Sequence, residues 1–372
     1  MSKEFTSLGL MSGTSGDGID ASIIQSDGDK NYEVIEDKYF KYNDDIFQNI
    51  HKLKDKIHNL KDLKKFEKEL NELERHITFF HAKIIQDLAN KKNFDLIGFH
   101  GQTIYHNPIE KISKQLGDGK LLSQLTKKKI VYNFRQNDIK NGGEGAPLTP
   151  IFHKLILQKL KLNYPICIMN IGGISNLTVM EKKGEMNLLK SKDIGPGNCL
   201  IDSWIRKNTN DKYDRDGLLA ASGVKNEIVF ESAIELFSNR KIKDSASLDV
   251  NDFDISFARG LSLADGATTL TELTANIIAS SIMNNLPSSA LSTSGNDFLK
   301  ILVCGGGRKN KTMMKKIKQN ISKKIILQNI DELGINGDFI ESQAFGYLAI
   351  RSLLGLPISF PSTTGCKKPV SG

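Results

Sequence analysis

No run of eighteen or more apolar residues occurs in this chain, so no transmembrane helix is expected. The N-terminal stretch MSKEFTSLGLMSGTSGDG lacks an apolar segment of signal-peptide length, and the expected location is the cytoplasm. Cysteine is sparse: Cys167, Cys199, Cys304 and Cys366 are scattered and show no CxxC spacing. That pattern argues against a disulfide framework or a zinc site and fits a reducing compartment. Cys167 and Cys304 fall in apolar, strand-like runs, where a buried thiol is expected. There is no GxxxxGK[ST], and no GxGxxG opening a helix, so the P-loop and Rossmann signatures are missing. No basic stripe is interleaved with aromatics. The net charge of +8 is spread along the chain, with local runs such as Lys127-Lys128-Lys129. It reads as a lysine-rich solvated surface that mildly favours anionic ligands, not as a nucleic-acid site. No repeat of fixed short period is found.

What is present is an ordinary globular composition, 39% hydrophobic and 25% charged, which allows a large core. A length of 372 residues suggests two domains with a cleft between them. Residues 8–11, 20–25 and 33–40 read as three strands joined by polar turns. Residues 44–90 read as helices, with Phe66, Leu70, Leu73, Ile77, Phe80, Ile84 and Leu88 at helical spacing. Residues 96–99 form a short buried strand ending in HGQT, and 129–134 another ending in Arg135. The Gly/Pro-rich stretch NGGEGAPLTP (141–150) reads as the crossover into a second domain. The expected domains are therefore 1–140, completed by 355–372, and 141–354. In the second, a helix at 151–161 precedes a hairpin of strands 166–170 and 174–180. Helices follow the 193–198 loop and Gly217, and 268–285 is helical. The stretch 288–296 is a polar loop. A strand at 301–304 runs into three glycines and a helix after Lys309. A last helix covers 338–354. The order implies a mixed α/β architecture.

Three glycine-rich turns stand out. GLMSGTSGDGID (9–20) joins two strands, and its glycines free backbone N–H groups to face an anion. Ser12, Thr14 and Ser15 add hydroxyl donors, Gly13, Gly16 and Gly18 add freedom, and Asp17 or Asp20 could hold Mg²⁺ through water. NIGGISN (170–176) places Gly172 and Gly173 between two strands, beside Asn170. CGGGRKN (304–310) places Gly305, Gly306 and Gly307 between a strand and a helix that starts near Asn310, where a helix N-terminus adds partial positive charge. Each turn alone is equally an ordinary hairpin or a flexible strand–helix loop. Their order, two hairpin turns and then a strand–helix turn, resembles the phosphate-1, phosphate-2 and adenosine loops of the actin/hexokinase/Hsp70-like ATPases. That resemblance implies a two-domain, ribonuclease H-like fold that binds ATP.

The motifs GLMSGTSGDGIDA, GFHGQTIYHNP, NFRQNDIKNGGEGAPLTP, NIGGISNLT, DIGPGNCLIDSW, DRDG and ESQAFGYLA follow one another across nearly the whole chain. Together they resemble the anhydro-N-acetylmuramic acid kinase family. The resemblance implies a cytoplasmic enzyme that uses ATP and Mg²⁺, opens a 1,6-anhydro sugar with water, phosphorylates O6, and forms a homodimer. Asp193 matches the family's catalytic aspartate and suits a general base, set in a Gly/Pro turn that enters a helix. A capping role for Asp193 through Asn198 is the alternative, and Asp202 is the weaker candidate base. Arg135 suits the lactyl carboxylate of the sugar, in a bidentate pair, or else a surface ion pair. Thr103 and Glu341 match sugar-contacting positions, with Glu341 facing the cleft from the last helix. His100 reads as structural. Gly16 stands where the family usually has Met, Asn133 where it has Asp, Ile194 where it has Thr, and Glu144 where it has Gln. The competing readings are a kinase of the same fold for another amino sugar, and a non-catalytic ATP-binding regulatory protein. Closure of the two domains over the substrates is expected.

Overall fold

The computed structural model describes residues 3–160, 162, 164–183, 186–239, 247–287 and 298–372. The polar loop expected at 288–296 lies outside the described residues. The chain divides into two compact units, Met1–Leu160 with Asp338–Gly372, and Lys161–Gly337. This moves both expected boundaries.

In the first unit, β1 (Phe5–Ser12), β2 (Gly18–Ser26) and β3 (Tyr32–Lys41) form an antiparallel meander. Helices α1 (Asp44–Lys54), α2 (Leu60–Lys65) and α3 (Glu67–Ala89) follow. Asn43 caps α1, its side-chain oxygen accepting from Ile46 N at 2.9 Å. The spacing of Leu70, Leu73, Ile77, Ile84 and Leu88 buries one face of α3 in the same core as Leu8, Leu10, Ile19 and Ile23 of the sheet.

Strand β4 runs over Leu96–Asn107, much longer than expected. Its first half lies parallel to β1, and its second half pairs with β5 (Ile112–Leu116). HGQT is therefore mid-strand. After α4 (Gly119–Thr126), β6 (Lys129–Tyr132) adds parallel to the first half of β4. Asn133 then turns left-handed, φ 59°, and starts α5 (Phe134–Lys140). Arg135 is consequently in the first turn of a helix, not at a strand end. Helix α6 (Pro150–Leu160) stays with this unit. Its Phe152 packs on Tyr32 and Tyr347, with ring centroids 5.0 and 5.5 Å apart.

In the second unit, β7 (Ile166–Ile171), β8 (Ile174–Lys183) and β9 (Met186–Pro196) form another meander. Helices α7 (Cys199–Asn208), α8 (Leu218–Ser222), α9 (Glu227–Asn239) and α10 (Leu263–Asn285) follow. Strand β10 (Leu299–Cys304) lies parallel to β7, and β11 (Ile325–Asn329), reached through α11 (Lys311–Asn320), lies parallel to β10. The order β9-β8-β7-β10-β11 repeats β3-β2-β1-β4-β6 of the first unit, with the same sequence of directions. The duplicated mixed sheet bears out the α/β, actin-like expectation.

The chain then returns to the first unit as α12 (Ile340–Leu353). This helix lies so close on the sheet that a Cβ at Gly9 would fall 1.9 Å from Ser342 O, and one at Gly98 2.1 Å from Phe345 O. That backbone-to-backbone packing is why the last helix belongs to the first unit. The stretch 141–147 is no crossover either: Gly145 N donates to the buried Asp138 carboxylate at 2.7 Å, and Glu144 N to Thr364 O at 2.9 Å. A short pair of strands, β12 (Pro357–Ser359) and β13 (Val370–Ser371), closes the chain. None of the four cysteines forms a disulfide, and all are buried. Among the described residues no helix is long and apolar enough to cross a membrane.

Candidate active site

Between β1 and β2, residues 13–17 form a loop whose carbonyl oxygens are held from outside. Gln102 Nε2 donates to Gly13 O at 2.9 Å, and Lys54 Nζ to Thr14 O at 2.7 Å. A ring nitrogen of His51, Nε2, lies 2.9 Å from Ser15 O, and Tyr39 OH donates to Asp17 O at 3.0 Å. A planar trans peptide points each N–H opposite the preceding carbonyl. Anchoring the carbonyls of Gly13 and Thr14 therefore turns the amides of Thr14 and Ser15 the other way, as donors for an anion. A Cβ on Gly13 would meet nothing nearer than Ser15 Oγ at 3.8 Å, so the cradle is open there.

The loop's residues divide in role. Ser12 is buried in β1, its hydroxyl 2.7 Å from Gln102 Oε1 and 3.0 Å from both Gly18 O and Tyr42 OH, so it braces the loop. The Asp17 carboxylate accepts from Ser15 Oγ and Tyr39 OH. Gly16 has φ +62°, and a Cβ there would lie 2.9 Å from Ile50 Cγ2, which explains a glycine beside this isoleucine. A side chain on Gly18 would strike Phe40 O at 2.5 Å.

Asp20 sits on β2 among carboxylates. Burial, then the charges of Asp17, Glu341, Asp338 and Asp37, push its carboxyl up to about 8. The structure thus brings Glu341, in the first turn of α12, into the electrostatic neighbourhood of the glycine loop. These five carboxyl groups make the region strongly acidic, although among the described residues no three His, Cys, Asp or Glu side chains come close enough together to form a metal site by themselves.

The HGQT motif is a hub. Gln102 holds the loop. Thr103 Oγ1 accepts from Gln115 Nε2 at 3.2 Å, which leaves its own proton to donate. His100 Nε2 lies 3.2 Å from Arg135 Nε and 3.0 Å from Nη2, while Arg135 Nη1 donates to Gly145 O at 3.0 Å. Thr103 and Arg135 therefore lie on or beside one strand that also braces the phosphate-type loop.

In the second unit the turn is only Gly172–Gly173. Its carbonyls are taken by backbone: Asn198 N donates to Gly172 O at 2.8 Å, and Gly197 N and Cys199 N donate to Gly173 O at 2.9 and 3.2 Å. The start of α7 is spent on this turn. Asn170 is buried, and its Oδ1 lies 3.7 Å from the Cys304 thiol.

Asp193 is not in a turn. It lies in β9, opposite Asn176 of β8. It does not cap α7, since its Oδ2 accepts from Leu248 N at 2.7 Å; Asn198 occupies the cap position without a side-chain bond. Directly opposed residues of an antiparallel pair share a face. On that face Asn176 Oδ1 is buried with no partner among the described residues. Asp202 is in the first turn of α7. Ile194, next to Asp193, is buried in the core.

The third turn is partly structural. Side chains at Gly305 and Gly307 would strike Asn170 Oδ1 and Ile171 Cγ2, both at 2.2 Å, whereas Gly306 faces open space apart from Asn198 Nδ2 at 3.9 Å. Residues 306–309 form a 3-10 turn. Asn310 caps α11, its Oδ1 accepting from Met313 N at 2.9 Å, so its side chain is engaged in the helix. Arg308 clamps the turn, donating to Gly305 O at 2.9 Å and, bidentately, to Asp331 at 2.9–3.0 Å. Lys54, His51, Tyr39, Gln102, Asn176, His100 and Arg308 were not singled out from the sequence as site residues. The local signals were the strings HGQT, NIGGISN and CGGGRKN, which contain His100, Gln102, Asn176 and Arg308; Lys54, His51 and Tyr39 reach the loop across separations of 22 to 40 residues.

A family model described as anhydro-N-acetylmuramic acid kinase matches residues 5–372. Among curated proteins, the anhydro-N-acetylmuramic acid kinase of Pelagibacter ubique is 52% identical over 374 aligned positions, covering 100% of this chain and 98% of its own length. Those of Agrobacterium fabrum and Zymomonas mobilis are 38% and 36% identical, covering 99% and 98% of this chain and 97% and 98% of their own lengths. With a family model spanning nearly every residue and relatives aligned end to end, this chain belongs to the anhydro-N-acetylmuramic acid kinase family.

Proposed function

We propose that the protein is a cytoplasmic, ATP-dependent kinase that opens 1,6-anhydro-N-acetylmuramic acid with water and phosphorylates O6. The products are N-acetylmuramic acid 6-phosphate and ADP, in the recycling of cell-wall peptidoglycan. The observation that carries this reading is the family match over residues 5–372. The glycine loop with its outward-held carbonyls supports it independently.

The residues divide the work. The amides of Thr14 and Ser15 and the open side of Gly13 receive phosphate oxygens. The turns at Gly172–Gly173 and Gly306 serve the remainder of the nucleotide. Asp20 is the better of the two carboxylates for Mg²⁺: Asp17 is already engaged by two hydroxyl groups, whereas Asp20 carries the repulsion of its acidic neighbours. Mg²⁺, when bound, screens the phosphate charge. Arg135 receives the lactyl carboxylate, while Thr103 and Glu341 bind sugar hydroxyls or the acetamido group.

Asp193 accepts one proton from the attacking water as its oxygen bonds to C1 and the C1–O6 bond breaks. Asn176 Oδ1 accepts the water's other hydrogen and so aims its lone pair. The released O6 keeps the bond's electron pair and attacks the γ-phosphorus, and ADP leaves.

Purified protein should release ADP with the anhydro sugar and Mg²⁺. Release with ordinary N-acetylmuramic acid but not the anhydro form would reject the hydrolytic step. Asp193→Asn should lower kcat by roughly 10²–10⁴-fold, the usual worth of a general base, with nucleotide binding intact. Unchanged turnover would remove Asp193 from that role.

A further inference from the structure

Arg135 needs a fixed orientation if it is to present two parallel N–H groups to a carboxylate. Arginine's fork is rigid, but its stem is flexible. Two groups from two segments hold it. Gly145 O takes Nη1 at 3.0 Å, and Gly145 is itself fixed by its N–H to the buried Asp138. His100, 5% exposed on β4, faces Nε and Nη2 at 3.2 and 3.0 Å.

The tautomer of His100 follows from its other nitrogen. Nδ1 lies 2.8 Å from Gly101 O, which can only accept, so Nδ1 carries the hydrogen and Nε2 presents a lone pair. Gly101, at φ +77°, turns its carbonyl back toward the ring. The ring also packs against Phe345 with centroids 4.5 Å apart. Burial, then the Arg135 charge, hold the imidazole well below its usual range, so it stays neutral. Neither His100 nor a peptide carbonyl is charged. Their hold therefore orients the guanidinium through neutral acceptors, where a carboxylate in the same place would compete with an anionic substrate.

We propose that His100 is a positioning residue, the neutral acceptor that aims Arg135 at the substrate's lactyl carboxylate and so sets the preference for lactyl-bearing sugars. This rests on the reading of Arg135 given above and adds a residue to it.

The test compares kcat and KM for 1,6-anhydro-N-acetylmuramic acid and for 1,6-anhydro-N-acetylglucosamine, which lacks the lactyl group. The proteins are wild type, His100→Ala, His100→Gln, Arg135→Ala and the double alanine variant. Arg135→Ala alone examines the parent reading: it should abolish the preference between the two sugars. His100→Ala should raise KM for the lactyl sugar about tenfold, since small misplacements of a binding group are costly. Its effect should fall on KM more than kcat, and the analogue should be little changed. His100→Gln, whose amide oxygen offers a neutral acceptor, should restore most of the loss. The double variant should be no worse than Arg135→Ala. Equal losses for both sugars in His100→Ala, no rescue by glutamine, or additive losses in the double variant would overturn the proposal. If Arg135→Ala keeps the preference, the lactyl assignment of Arg135 falls first and takes the proposal with it.

Discussion

The two units share one strand order but hold their glycine turns in different ways. In the first, five residues join the paired strands, and four carbonyls of the loop are held by side chains from α1, β3 and β4, those of Gly13 and Asp17 also by the backbone amides of Gly16 and Tyr42. In the second, two residues join them, and both carbonyls are held by the backbone N–H groups of 197–199. A turn fastened by side chains is adjustable by substitution. A turn fastened by backbone is fixed by the path of the chain. The first unit also adds the β4–β5 hairpin, which has no counterpart among the described strands of the second unit, and that hairpin carries Thr103 and its partner Gln115.

The sharpest way to break this comparison is a pair of glycine substitutions. A Cβ on Gly197 would lie 2.1 Å from Gly172 O, a backbone atom with nowhere to move. Gly197→Ala should cost several kcal/mol, at or beyond the roughly 1–3 kcal/mol typical of overpacking, and yield little folded protein. Gly13→Ala places its methyl in open space, so the melting temperature should hold while ATP affinity falls. Thermal melts and nucleotide titrations read both. Equal losses of stability would erase the distinction between the turns.

A smaller effect separates the units by charge. Asp20 is pushed from 3.8 to about 8. Below about pH 4 its carboxyl is protonated in both folded and unfolded chains. Between there and pH 8 the unfolded chain gives up the proton and the folded chain keeps it, so stability falls as pH rises. At ~1.4 kcal/mol per unit, discounted for relaxation of the site, this amounts to about 2–3 kcal/mol. Asp20→Asn in a chelator should flatten that decline in denaturant midpoints between pH 5 and 8. An unchanged slope would mean the cluster's repulsion is relieved in solution.

Much of the scaffold was legible because its signals are local. The meander of β1–β3, the amphipathic α3 and the hairpin β7–β8 follow from short-range period and turn residues. The site was less legible, because its partners are distant in sequence. Gln102 reaches Gly13 across 89 positions, and Arg135 reaches His100 across 35. Two local readings were wrong for definable reasons. Gly101 looked like a strand end, but in a left-handed conformation it lets β4 continue through the motif. The Gly/Pro content of 141–150 looked like a linker, yet its amides are bound to Asp138 and Thr364. Asp193 was picked out by its motif, and its place on a strand opposite Asn176 came only with the register of β8 and β9.

The finest test of the side-chain-held loop is Lys54. Its ammonium donates to Thr14 O at 2.7 Å from the last turn of α1. Hydrogen bonds from charged groups contribute about 1.5–3 kcal/mol, part of which returns when water replaces the lysine at this half-buried site. Lys54→Met should therefore raise KM for ATP about tenfold, since the freed carbonyl lets the Ser15 amide swing away from the phosphates. KM for the sugar should stay within about twofold, because Arg135 and Thr103 are braced separately through His100 and Gln115. Lys54→Arg keeps a cationic donor and should recover much of the affinity. If the methionine variant binds ATP as well as wild type, the loop is held by its own turn, Gly16 N to Gly13 O at 3.1 Å. In that case the two glycine turns are fastened alike, by backbone.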